Sequence, residues 1–134
     1  MAAASHAPGL TDSDILIDAE RGVADAVAFT LAQQALAAIQ ISAVTAMELV
    51  VGCRNRRELL VLENFLTLTT IHEITPAVSR QARVLVGTYF LSHGLMIADS
   101  LIAATALSLG LPLYTKNVRH FQMIPSLVVI RPYN

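Results

Sequence analysis

The chain has 134 residues, 54% hydrophobic and 14% charged, with a formal net charge of −1. That length holds one core, and a charge content well under the roughly 25% of an average domain excludes a disordered or solvating tail protein. No overall basic field draws the chain to nucleic acid or to an anionic membrane, so any nucleic-acid chemistry must rest on a local site. The apolar excess points to a partner or to self-association. The single cysteine, Cys53, makes no intramolecular disulfide, and no Cys/His cluster has zinc spacing, which fits a reduced, cytoplasmic setting. The longest uncharged stretch before Glu48, Ala26 to Met47, carries Thr30, Gln33, Gln34, Gln40, Ser42 and Thr45 and changes period partway, so no membrane span is expected.

In chain order, residues 1–9 are small and lack a signal-peptide pattern; they are expected as a flexible extension preceding one domain over residues 10–134. Gly9 to Thr11 reads as a weak strand running into Asp12-Ser13-Asp14-Ile15-Leu16-Ile17-Asp18, a strand end that turns into a short helix stopping near Gly22. Val23 to Ala38 favours helix, and Ile39 to Ile41 a strand. Ser42 is an N-cap for a helix reaching about Gly52, on which Val44, Met47 and Val51 are the expected core stripe. A helix over Arg56 to Leu68 and a strand over Thr70 to Ile74 follow. Thr75-Pro76 opens a helix that ends near Gly94; it places Val78, Ala82, Leu85, Val86 and Tyr89 inside and Arg80 and Arg83 opposite. Asp99 to Leu109 is a helix closed by Gly110, and strands are expected over Pro112 to Thr115 and Leu127 to Ile130. Strands alternating with helices of ten or more residues describe an α/β fold with a mainly parallel sheet covered on both faces.

The charge distribution is the informative feature. Glu48 is the only charged residue between Ala26 and Cys53, and Asp99 the only one between Val84 and Thr115. A lone acid in an apolar segment needs water, a hydrogen-bonding partner or a cation. Asp12 stands where the first strand ends, and ligand sites of open parallel sheets gather outside the carboxyl ends of strands. Three carboxylates converging there without a basic partner repel one another, and a hard divalent ion, Mg²⁺ or Mn²⁺, relieves that repulsion. Such an ion activates water and stabilises charge at a phosphodiester. Each acid also has a plainer reading: Asp99 as a helix cap, Glu48 as a surface residue, Asp12 as a turn aspartate.

Four segments resemble the motifs of PIN-domain proteins, specifically the VapC-type toxin ribonucleases of prokaryotic toxin–antitoxin pairs. Asp12 to Asp18 resembles the opening motif. Ile41-Ser42-Ala43-Val44-Thr45-Ala46-Met47-Glu48 through Gly52 is similar to the second. Ile97-Ala98-Asp99-Ser100-Leu101-Ile102-Ala103-Ala104-Thr105-Ala106-Leu107 resembles the third at nearly every position, and Leu113-Tyr114-Thr115-Lys116-Asn117-Val118-Arg119-His120-Phe121 resembles the fourth. The resemblance covers about Leu10 to Pro132. It implies a three-layer α/β/α sandwich and Mg²⁺- or Mn²⁺-dependent endoribonuclease activity. Asp12, Glu48 and Asp99 would be metal ligands, with Thr115 and Asn117 orienting water or substrate. A VapB-type antitoxin would occupy the groove of a homodimeric toxin.

Many members carry a fourth acid in the last motif, whereas this chain has Asn117 and no Asp or Glu after Asp99. That implies weaker metal affinity or the lack of a second metal. Asp14 is a secondary candidate that partly substitutes, or else serves a turn or cap. Lys116 and Arg119 are the candidates for phosphate contact. Arg54, Arg56 and Arg57 read first as a solvated helix start, and His120-Phe121 as a packed anchor with no acid–base role for His120. Two other readings stay open: a catalytically weak or inactive interaction module with the same fold, and a receiver-like phospho-acceptor domain.

Overall fold

The computed structural model describes residues 6–134. Five short strands form one sheet in the order β3-β2-β1-β4-β5, and every pairing is parallel. The strands are β1 (Leu10–Thr11), β2 (Gln40–Ser42), β3 (Thr70–His72), β4 (Leu113–Tyr114) and β5 (Val129–Ile130). Six helices accompany them: α1 (Ser13–Glu20), α2 (Ala24–Leu36), α3 (Ala43–Val51), α4 (Arg56–Leu66), α5 (Pro76–His93) and α6 (Ile97–Leu109). The result is the α/β/α sandwich expected. The chain steps outward from β1 to β3 and then returns to lay β4 against the other side of β1. Strand order therefore reverses between β1 and β4, which is where open parallel sheets bind ligands.

Local chemistry explains the boundaries. Ser42 accepts from Thr45 N at 3.0 Å and caps α3. Thr75 accepts from Val78 N at 3.2 Å ahead of Pro76, which opens α5. Gly94 and Gly110 end α5 and α6 at φ +68° and +65°, a left-handed conformation that costs glycine nothing. The sparse opening strand has a definite register, because Leu10 pairs with both Gln40 and Leu113 and is fully buried. One core cluster joins Leu10, Val44, Val78, Ala82, Leu85, Ile102 and Phe121. A second joins Leu16, Ile39, Ile41 and Leu49, so α3 contributes to both.

Two expectations change. The buried residues of α3 are Val44, Thr45 and Leu49, while Met47 is 55% and Val51 84% exposed. An apolar helix offers little contrast between its faces, and packing against the sheet edge and α1 decides the matter. Helix α6 begins two residues before Asp99, after Met96, whose side chain makes no capping bond; Asp99 is therefore not the helix cap. Of the segment expected as a flexible extension, residues 1–5 lie outside the described residues; in residues 6–9, Ala7 and Pro8 are exposed and Gly9 is buried. Gln33 Nε2 and the Tyr114 hydroxyl both donate to Ala7 O, and Gly9 N donates to Gln33 Oε1 at 3.3 Å. The His6 ring sits edge-on to Phe29 and Tyr114. A side chain at Gly9 would collide with the Tyr114 ring and the Pro112 carbonyl oxygen, so this close approach requires glycine.

Candidate active site

Asp12 follows β1 directly and is the N-cap of α1. Its Oδ1 accepts from Ser13 N and its Oδ2 from Thr115 Oγ1, both at 2.8 Å. Thr115 follows β4, so the reversal between β1 and β4 brings these residues together. Burial, and next the charge of Asp14, push the Asp12 carboxyl up to about 7; the Thr115 and Ser13 hydrogen bonds pull the other way.

Asp14 lies in the first turn of α1. Its Oδ2 accepts from Lys116 N at 2.9 Å and stands 3.3 Å from Thr115 Oγ1. Its Oδ1 is buried and has no hydrogen-bond partner among the described residues. Burial raises its carboxyl above the ordinary range, with the bonds from the Lys116 and Ile15 backbones opposing.

Glu48, on α3, is the most open of the acids. Its Oε1 accepts from Ser13 Oγ at 3.2 Å, and its carboxyl is raised by desolvation, with added repulsion from Asp99 and Asp14. Asp99, on α6, is also raised by burial. His120 opposes that shift and Asp14 adds to it; His120 Nδ1 is 3.3 Å from Asp99 Oδ2.

Four acids thus gather at the carboxyl edge of the sheet, Asp12 capping α1 and the others on α1, α3 and α6. Asp14 repels each of the other three, so the residue ranked second by sequence is the electrostatic centre. The close convergence expected of Asp12, Glu48 and Asp99 is not formed: among the described residues no three His, Cys, Asp or Glu side chains are drawn together tightly enough to cage a metal ion unaided. Each of these three carboxylates is engaged by its own neighbour: Asp12 by Thr115, Glu48 by Ser13 and Asp99 by His120. The arrangement suits a hydrated hard cation instead, since Mg²⁺ keeps several waters beside one or two carboxylates, and the orphaned Asp14 Oδ1 lacks a positive or donating partner.

Thr115 is fully buried and accepts from Asn117 N at 3.0 Å, which shapes the loop after β4. Asn117 is exposed. The Lys116 ammonium, expected to be free for phosphate, lies 2.6 Å from Asp18 Oδ2. Arg119 is exposed and makes no ion pair among the described residues. Sequence reasoning missed two members of this neighbourhood: His120, read as a packed anchor but with a side chain 59% exposed and facing Asp99, and Asp18. Arg54 is paired with Glu58 at 2.7 Å on a solvated surface, as expected for a helix start.

Against known proteins, the PIN domain family model matches residues 10–125. Ribonuclease VapC19 of Mycobacterium tuberculosis (strain H37Rv) is 37% identical over 121 residues, covering 88% of this chain and 95% of the relative. Ribonuclease VapC10 of the same strain is 36% identical over 121 residues, covering 88% and 89%. Among solved structures, a toxin–antitoxin complex from Klebsiella pneumoniae aligns with a TM-score of 0.73 and 29% identity, covering 94% of this chain and 98% of that one. Nothing in these likenesses favours a receiver-like domain. Motifs, sheet order and relatives agree, and the chain belongs to the PIN-domain family, where it groups with the VapC proteins.

Proposed function

We propose that the protein is an endoribonuclease that hydrolyses RNA phosphodiester bonds with Mg²⁺ or Mn²⁺, and that it acts in the cytoplasm as the toxin of a toxin–antitoxin pair. The observation that carries this reading is the group of four desolvated acids at the strand-order reversal, three of them repelled by Asp14. Related chains named VapC ribonucleases support the RNA substrate, and likeness to a toxin–antitoxin complex supports a VapB-type antitoxin as partner. The extent of exposed apolar surface on α3 and α5, including Met47, Val51, Val84, Phe90 and Leu91, suits a homodimer that also binds that antitoxin. No helix is long and apolar enough to cross a membrane among the described residues.

In this reading Asp12, Asp14, Glu48 and Asp99 hold the cation, directly or through water. The bound ion supplies a water of lowered pKa and positive charge beside the scissile phosphate. Thr115 fixes the Asp12 carboxylate and, through Asn117 N, the loop that carries the Asn117 amide toward substrate. Arg119 offers a cation to the RNA backbone.

The test is cleavage of a broad RNA panel by the purified protein with Mn²⁺, with a chelator, and by Asp99→Asn. Metal-dependent cleavage lost in the variant is the expected result. A second reading, an inactive interaction module, is favoured by Asn117 in place of an acid and by the absence of a preformed cage among the described residues. Equal failure of both proteins to cut any RNA would establish it.

A further inference from the structure

Lys116 is the sole lysine of the chain, and it touches two carboxylates, one through its backbone and one through its side chain. Its backbone N–H donates to Asp14 Oδ2 at 2.9 Å, yet its ammonium is directed to Asp18, 2.6 Å from Oδ2. Asp14 and Asp18 are four residues apart on α1 and so occupy neighbouring positions on one helix face. Asp14 is the more deeply placed of the two, and its buried Oδ1 has no partner among the described residues. An ammonium is attracted more strongly to a desolvated carboxylate than to a solvated one. In the structure the ammonium nonetheless sits on the outer acid.

The C-terminal segment contacts this arrangement at both ends of the lysine. The Tyr133 hydroxyl donates to the same Asp18 Oδ2 at 2.8 Å. Arg131 Nη1 donates to the Lys116 carbonyl at 2.9 Å, and Arg131 Nε to the Tyr133 carbonyl at 3.0 Å. Residues just beyond β5 thereby tie down the loop that follows β4, and they anchor the carboxylate that receives the ammonium. Lys116 and Tyr133, in that order, hold the Asp18 carboxyl below the ordinary range.

We infer that Asp18 and Tyr133 are positioning residues, which park the Lys116 ammonium one helical turn from Asp14 and so keep the acid cluster open to a cation. Released, the ammonium would swing onto Asp14 and form an internal ion pair where the metal belongs. The inference rests on the metal-binding reading proposed above and adds the device that protects the site from the chain's own lysine.

The experiment is Mn²⁺ titration of the full chain, with free Mn²⁺ read by electron paramagnetic resonance, over wild type, Asp18→Asn, Lys116→Met, the double variant and Tyr133→Phe. Asp18→Asn is expected to weaken Mn²⁺ binding about tenfold in the wild-type background and by less than about twofold in the Lys116→Met background, a coupling between neighbours rather than a sum. Tyr133→Phe, which changes no charge at neutral pH, is expected to weaken it about threefold, and to have no effect once Lys116 is methionine. An equal cost of Asp18→Asn in both backgrounds would mean that Asp18 acts only by long-range charge or by folding, and would overturn the inference. So would no cost at all. If wild type binds Mn²⁺ no better than Asp99→Asn, the metal-binding reading itself falls and takes this inference with it; firm wild-type binding with an indifferent Asp18 sinks the inference alone.

Discussion

The Thr115 hydroxyl donates to Asp12 Oδ2 at 2.8 Å, across 103 positions of sequence. The contact exists because β4 returns to pair with β1, with Thr11 opposite Tyr114, so the next residue of each strand emerges side by side. The same oxygen accepts from Asn117 N. One buried hydroxyl thus fixes an acid on one strand end and the turn on the other.

Thr115→Val is expected to destabilise the fold by about 1–3 kcal/mol, because it strands the Asn117 N–H and removes a donor from a buried carboxylate. It should also drive the Asp12 carboxyl further upward, since the Thr115 bond is the largest of the influences lowering it. Thr115→Ser restores the donor and should lie close to wild type. Urea unfolding of the three proteins checks the order.

The metal-free protein should lose stability as pH rises from about 4 to about 7. Asp12 has an ordinary value of 3.8 when unfolded and about 7 when folded, so in that window the native state holds the extra proton and stability falls with rising pH. Above about 7 the loss is complete. Asp12→Asn should abolish most of this slope. Asp14→Asn should shift its upper end downward, because the Asp14 charge is second only to burial in raising Asp12. Mn²⁺ affinity should run oppositely and grow as pH rises toward about 7, since ligands bind metal deprotonated. Thermal melts with and without Mn²⁺ across that range measure both.

Asp12→Asn, Glu48→Gln and Asp99→Asn should each abolish metal-dependent RNA cleavage while differing in stability. Asp12→Asn should raise the melting temperature of the metal-free protein near neutral pH, because it removes a desolvated charge. Glu48→Gln should change stability by less than about 0.5 kcal/mol, since the residue is exposed and an amide oxygen can still accept from Ser13. Loss of melting temperature in all three metal-free variants would mark the acids as structural.

The elements with their own punctuation were legible from sequence. Ser42, Thr75-Pro76, Gly94 and Gly110 act through local hydrogen bonds and backbone preference, and they marked the ends of α3, α5 and α6 to within a residue. The start of α6 was not legible, because Met96 caps it without a side-chain bond and Ile97, its first residue, is 71% exposed. The inward face of α3 was not legible either: Thr45 is fully buried, with its hydroxyl 3.2 Å from Ser42 Oγ, while Met47 faces out. At the site, Asp12, Glu48 and Asp99 stood out as acids in apolar surroundings. The central place of Asp14, the capture of Lys116 by Asp18 and the approach of His120 to Asp99 depend on contacts between distant segments. No local spacing encodes those.

Whether these four acids share one hard cation is read from anomalous diffraction of crystals of the protein grown with Mn²⁺. An anomalous peak is expected among the carboxylates of Asp12, Asp14, Glu48 and Asp99, lost in crystals of Asp99→Asn. A wild-type map with no peak there, or with Lys116 Nζ seated on Asp14 in its place, would contradict a shared cation.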